Sequence, residues 1–266
     1  MRAAPDPAAM RRWGTGPRAA VMSHCSLAHS GAWTPLAALL AGRLSMTAFD
    51  LPGHGRAPDW DGVSDLHDVA TGWAAALAGN GPVDLIGHSF GATVVLRLAL
   101  ERPEAVRSLT MIEPVLFAAA RQAGDPAFAA HQAATAPFEA AWAAGDTVAA
   151  TRMFVGIWGA GTAWDDLAPA QRDAMTAQIG FVSATAHILT DDAHGLLAPG
   201  RLEALARPAL IVTGAESPAV IPAIARALAA RLPDAAHRVV PGAGHMVPLT
   251  HPAPVAEEIA ALLDRS

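Results

Sequence analysis

Short apolar runs bounded by glycine and proline alternate along the chain with longer alanine-rich stretches of helical period. The runs at Ala19 to Ser23, Met46 to Leu51, Val83 to Ile86, Ser108 to Glu113, Ala209 to Thr213 and His237 to Val240 read as strands. Between them, Thr34 to Ala41, Ser64 to Ala78, Gly91 to Glu101, Ile221 to Arg231 and Pro254 to Leu263 read as helices. Strand and helix in regular alternation predict an α/β fold, with a mostly parallel, doubly wound sheet and helices on both faces.

One interval breaks the rhythm. From Pro114 to Leu205 no strand-like run occurs, and several helices broken by glycine and proline take its place. The expected division is a core from residues 1–113 and 206–266 with a helical cap inserted at 114–205. The insert holds eight of the chain's fourteen aromatic residues. These build the insert's own core, face a ligand pocket, or do both; Phe117, Trp142 and Trp158 are the pocket candidates.

Composition removes whole classes of chemistry. All 18 cationic residues are arginine, so there is no lysine for a Schiff base or for a phosphate-binding loop. A formal charge of −6 with scattered arginines argues against nucleic acid as a partner. The single Cys25 rules out an internal disulfide and any cysteine-built metal site. No metal is expected at the histidines either, because the pairs His24/His29 and His245/His251 lack carboxylates at matching positions. No glycine-rich nucleotide fingerprint occurs, and no cofactor is expected. No apolar run is long enough to span a bilayer, and the N-terminal residues lack the apolar stretch of a signal peptide. A soluble cytoplasmic protein acting on a small molecule, with no membrane partner, is the expectation; the sequence does not indicate its oligomeric state. Met10 is an alternative start, which would leave the nine residues before it as a disordered extension.

The most informative stretch is Val83-Asp-Leu-Ile-Gly87-His88-Ser89-Phe90-Gly91, a strand, a tight turn and the start of a helix. A serine at the apex of such a turn stands above the sheet edge, with the following helix aiming its N-terminal N–H groups at the same spot. A serine hydroxyl needs a base to act as a nucleophile, and that base needs an orienting group. His245, in the glycine-rich loop Pro241-Gly-Ala-Gly-His245 after the last strand, is the candidate base. His251 reads as a capping or surface residue, and His54, His67, His131, His187, His194 and His237 show no convergent partners.

Ser89 in its elbow, the Asp50-Leu-Pro-Gly-His54-Gly turn, the helical insert and the Gly-Ala-Gly-His245 loop together resemble the α/β-hydrolase fold family over nearly the whole chain. The resemblance implies an eight-stranded sheet, of which the first one or two strands are short or missing here. It also implies a triad acid after the penultimate strand, but in Gly214-Ala-Glu216-Ser217 the usual aspartate slot holds serine. Glu113, closing the strand after the nucleophile, is the preferred acid. Glu216, one residue off register, is the alternative, and an unaided Ser–His pair remains open. For the oxyanion the resemblance points to the backbone N–H groups of Phe90 and Ser26, with Leu27 as fallback, although Cys25 stands where the family usually has glycine. Cys25 itself lies off the elbow and reads as a small packed residue.

These residues predict a serine hydrolase acting on a small or medium apolar carboxylic ester, lactone or thioester. A C–C bond hydrolase, lyase or perhydrolase on the same frame is the alternative. A non-catalytic ligand-binding protein is the third reading, prompted by serine in the acid slot.

Overall fold

The computed structural model describes residues 4–266. Seven strands, β1 (Met10–Trp13), β2 (Arg18–Ser23), β3 (Leu44–Phe49), β4 (Val83–His88), β5 (Val106–Ile112), β6 (Ala209–Gly214) and β7 (Ala235–Val240), form one sheet. Their order is β1-β3-β2-β4-β5-β6-β7. Every pairing is parallel except that of β1 with β3. The doubly wound sheet expected from the alternation is present, with seven strands among the described residues where the resemblance implied eight.

Period-two alternation along the central strands explains why both faces are covered. Val21, Leu85, Leu109, Met111 and Ile211 project into one apolar layer with helices α2 (Leu66–Ala78), α3 (Phe90–Glu101) and α9 (Val220–Ala229). Their neighbours Met22, Ile86, Ile112 and Val212 project into the opposite layer, against α1 (Thr34–Leu40) and α11 (Pro252–Asp264). A strand buried on both faces is built mainly from apolar residues, and β4 to β6 are largely so, with Asp84, His88, Ser108, Thr110 and Thr213 as their buried polar residues. Asp84 of β4 is the carboxylate among them. Its carboxylate accepts hydrogen bonds from Arg18, Arg107 and the Ser108 hydroxyl at the amino edge of the sheet, far from Ser89.

Two expectations are corrected near the N-terminus. The strand β1 went unpredicted because its four residues carry two arginines and no alternation. The segment before Met10 is not a loose extension among its described residues: Ala9 is fully buried, and its carbonyl accepts the Asp50 N–H at 2.8 Å. The first three residues lie outside the described part.

Between β5 and β6 run five helices: α4 (Phe117–Gln122), α5 (Pro126–Ala143), α6 (Thr147–Trp158), α7 (Pro169–Gln178) and α8 (Gly180–Asp191). They lie over the carboxyl edge of the sheet through aromatic contacts. Trp158 meets the His245 ring edge to face at 4.7 Å, and Phe181 meets Phe90 at 4.8 Å and His54 at 4.7 Å. A short helix, α10 (Val247–Thr250), follows the His245 loop.

Candidate active site

Parallel strands bring the ends of the chain's loops to one edge, and the register decides which residues meet there. His88 of β4 pairs with Ile112 of β5, so Ser89 and Glu113 stand next to one another, each one residue beyond its strand. Both adopt left-handed backbone, φ 56° and 52°, a conformation that costs a non-glycine residue about 1–3 kcal/mol. The surroundings enforce it at Ser89. A Cβ on Gly87 would lie 2.3 Å from the Gly91 carbonyl oxygen, and one on Gly91 would lie 2.1 Å from that of Ser23. Only glycine at both places lets the strand turn into the helix this tightly.

The His245 imidazole lies between the two. Its Nε2 is 2.9 Å from the Ser89 hydroxyl oxygen and its Nδ1 is 2.8 Å from Glu113 Oε2. A carboxylate can only accept, so Nδ1 carries the proton and Nε2 receives the Ser89 O–H. All three are buried, with side-chain exposure of 4% for His245 and 0% for Glu113. The other carboxylate oxygen, Oε1, accepts the Gly214 N–H at 2.6 Å and the Ser217 hydroxyl at 2.9 Å. The serine in the usual acid slot therefore serves as a donor to the carboxylate one strand away. Glu216 is not brought to His245: it is exposed, and its backbone N–H donates to Ala243.

The backbone N–H of Phe90, first residue of α3, and that of Ser26 donate to no acceptor among the described residues. Ser26 borders the same cavity as Ser89. Leu27 is unavailable as the fallback donor, because its N–H is given to His54 Nε2 at 3.1 Å. Cys25 is buried, which pushes its thiol up to about 12 and leaves it protonated and unreactive.

Three histidines with no expected role hold this edge together. His54 takes the Leu27 N–H and bonds Pro52 O through Nδ1; His24 takes the Leu51 N–H and bonds Cys25 O. The two loops that flank the nucleophile are thus cross-linked in both directions. His88 Nε2 donates to the His245 carbonyl at 2.9 Å, fixing the loop that carries the base. Burial above all holds His24 and His88 down at about 3 and His54 at about 4, so each is neutral and can accept or donate as these bonds require. No short-range sequence signal marks the bonds to Leu27, Leu51 and His245, since each joins residues brought together only by the fold.

A cavity of about 370 Å³ opens beside Ser89, and five aromatic residues of the helical segment, Phe117, Phe128, Phe138, Phe154 and Trp158, border it. Of the three pocket candidates, Phe117 and Trp158 border this cavity. Trp142 does not: it packs with Phe138, Ile179 and Met175 among α5, α7 and α8. His131, which showed no partners in the sequence, stacks on Phe117 at 4.2 Å and borders the cavity; burial pulls it down to about 4.

Elsewhere Asp65, Asp68 and His194 come within reach of a common point. Asp68 is already paired with Arg97, and Asp65 caps α2 through the Asp68 N–H, which accounts for their placement without an ion. No helix among the described residues is long and apolar enough to cross a membrane.

A model of the alpha/beta hydrolase family matches residues 20–258. Over 110 residues the chain is 36% identical to the lipase LipV of Mycobacterium tuberculosis, covering 40% of this chain and 41% of that protein. Over 102 residues it is 37% identical to a pimeloyl-[acyl-carrier protein] methyl ester esterase of Methylococcus capsulatus, covering 37% of each. The matches thus span about two fifths of these relatives' length. Among solved structures, a loop variant of the haloalkane dehalogenase DbeA from Bradyrhizobium elkanii superimposes with a TM-score of 0.73 at 20% identity, over 96% of this chain and 92% of that one. An N-acyl homoserine lactone degrading enzyme superimposes with a TM-score of 0.66 at 21% identity, over 95% of each chain. Neighbours of such different chemistry share a fold and no more, so the reaction has to be argued from the site.

Proposed function

Because the chain belongs to the alpha/beta hydrolase family, we propose that it is a serine hydrolase that cleaves a small or medium apolar carboxylic ester, with Ser89 as nucleophile, His245 as base and Glu113 as the orienting acid. The observation that carries the reading is the continuous chain from Ser89 Oγ through the His245 ring to Glu113, each link within 2.9 Å. The relatives named as lipase and methyl ester esterase support the ester class.

Each step follows from that chain. Ser89 Oγ attacks the carbonyl carbon while its proton passes to His245 Nε2, and the carbonyl π pair moves onto the oxygen. The Ser26 and Phe90 N–H groups, which have no other acceptor, receive that oxyanion, each contributing on the order of 3 kcal/mol. Collapse breaks the bond to the leaving oxygen, and His245 returns the proton to it as alcohol. Water then attacks the acyl-enzyme, giving its proton to His245, and the acid departs from regenerated Ser89. Lactones and thioesters fit the same sequence. Serine in the acid slot, which made a purely binding role conceivable, is accounted for by its bond to Glu113.

Rapid mixing with p-nitrophenyl butanoate is expected to give a burst of nitrophenol equal to the enzyme concentration, followed by slower turnover. Ser89→Ala is expected to abolish both. Undiminished turnover in that variant would overturn the proposal.

A further inference from the structure

A second cavity, of about 490 Å³, is bordered in part by the same residues as the first. The two cavities share three bordering residues: Ser26, Phe154 and Trp158. Ser26, the proposed oxyanion donor, and Trp158, whose ring lies against His245, thus border both. An ester carbonyl attacked by Ser89 carries two substituents that leave the reacting carbon in different directions. Two cavities that share Ser26 and Trp158 beside the catalytic residues offer each substituent a place. We propose that the first cavity takes the acyl group and the second the alcohol, so that the substrate is an uncharged ester bulky on both sides of the bond. This assignment rests on the acyl-enzyme reading above.

The direction follows from proton transfer. The leaving oxygen has to lie within reach of His245 Nε2 to receive its proton. The second cavity is bordered by Met246, which directly follows His245, by Leu249 four residues on, and by the Ser26 to Ala32 loop. Ser89 borders the first cavity and not the second. The alcohol therefore departs into the second cavity, and the acyl group stays with Ser89 in the first.

Size and charge define the class. Each cavity falls in the range of about 300–1,000 Å³ that holds a drug-sized group, so a methyl ester would leave the second nearly empty. Leu27, Val155, Leu167, Met175, Met246 and Leu249 make the second mostly apolar. Among the described residues no arginine borders either cavity, and the one carboxylate is Glu139, at the first. An anionic group on either side would find no arginine among the described residues to pair with.

The test is a matrix of aliphatic esters, in which alcohol reactivity is held nearly constant. Butanoate is paired with methanol, butanol and 3-phenylpropanol, and methanol with acetate, butanoate and 4-phenylbutanoate. The wild-type chain is expected to prefer 3-phenylpropyl to methyl butanoate by about tenfold or more in kcat/KM. Ala174→Phe, on the exposed face of α7 bordering the second cavity, is expected to lower that ratio about tenfold; Ala136→Phe, on α5, is expected to lower the acyl ratio instead. A flat alcohol series in the wild-type chain would overturn the proposal without any variant. Crossed effects, with Ala174→Phe acting on the acyl series, would overturn the assignment of sides. If esters are cleaved and Ser89 is acylated while either result holds, the serine mechanism stands and only this inference falls. If no ester is cleaved and Ser89 takes no acylating probe, both fall.

Discussion

Glu113→Gln is expected to lower kcat by about 10³- to 10⁴-fold while leaving the thermal transition within a few degrees of the parent. The amide retains an oxygen for the Gly214 N–H and the Ser217 hydroxyl, so the packing around it is kept. Its nitrogen then faces His245 Nδ1, and an N–H there forces Nδ1 to become the acceptor. The proton moves to Nε2, the atom that has to receive the Ser89 proton, and the base is disabled by its tautomer. The same change in a Ser-His-Asp protease costs about 10⁴-fold, which sets the scale. Glu216→Gln, at an exposed side chain outside the site, is expected to stay within about twofold of the parent. Steady-state kinetics on the two variants beside the parent decides between the acids. A Glu113→Gln enzyme of near-parental kcat would mean that the carboxylate does not orient the base.

The second large effect is on stability in acid. His24 and His88 titrate at about 3 and His54 at about 4 in the folded chain, chiefly because they are buried, against an ordinary value of 6.5 when unfolded. Between these limits the unfolded chain binds three protons that the folded chain refuses. Stability is therefore complete above pH 6.5 and declines as the pH falls through the window from 6.5 towards 4. A fully developed difference of one proton is worth about 1.4 kcal/mol per pH unit. Three such groups remove on the order of 5 kcal/mol between pH 7 and pH 5, comparable with the whole stability of many domains. Asp50 acts in the same direction at lower pH, below the ordinary carboxylate value of 3.8. Burial pushes it up, but the bonds from Ser30 and Arg56 outweigh this and hold it below the usual carboxylate range, so it too loses stability for the fold as pH falls. Urea unfolding followed by tryptophan fluorescence at pH 7, 6 and 5 is expected to show a steep loss, and His88→Gln, which can keep a donor to the His245 carbonyl, a shallower one. A stability independent of pH across this range would contradict the neutral-histidine account.

Much of the site was readable before the fold was known, because local chemistry marks it. The Gly-x-Ser-x-Gly elbow is a rule about backbone crowding, and the late histidine follows from what a serine needs. Glu113 was readable as a candidate because a strand end shared with the nucleophile is a matter of topology. Ser217 was not: its role depends on a carboxylate 104 residues away in the chain, and alone it reads only as a missing aspartate. His24, His54 and His88 were missed for the same reason, since each bonds the backbone of a distant loop or its own turn. Trp142 was overread because aromatic character alone does not say which face of a helix looks at a cavity. The edge strand β1 was invisible because Arg11 and Arg12 interrupt any alternation.

The most direct test is intact-mass analysis after incubation with a fluorophosphonate, which phosphonylates an activated serine with loss of fluoride and does not require the natural substrate. One adduct per chain is expected, mapped to Ser89, absent in Ser89→Ala and formed far more slowly in Glu113→Gln. An unmodified chain, or an adduct that persists when Ser89 is replaced, would contradict Ser89 as the nucleophile.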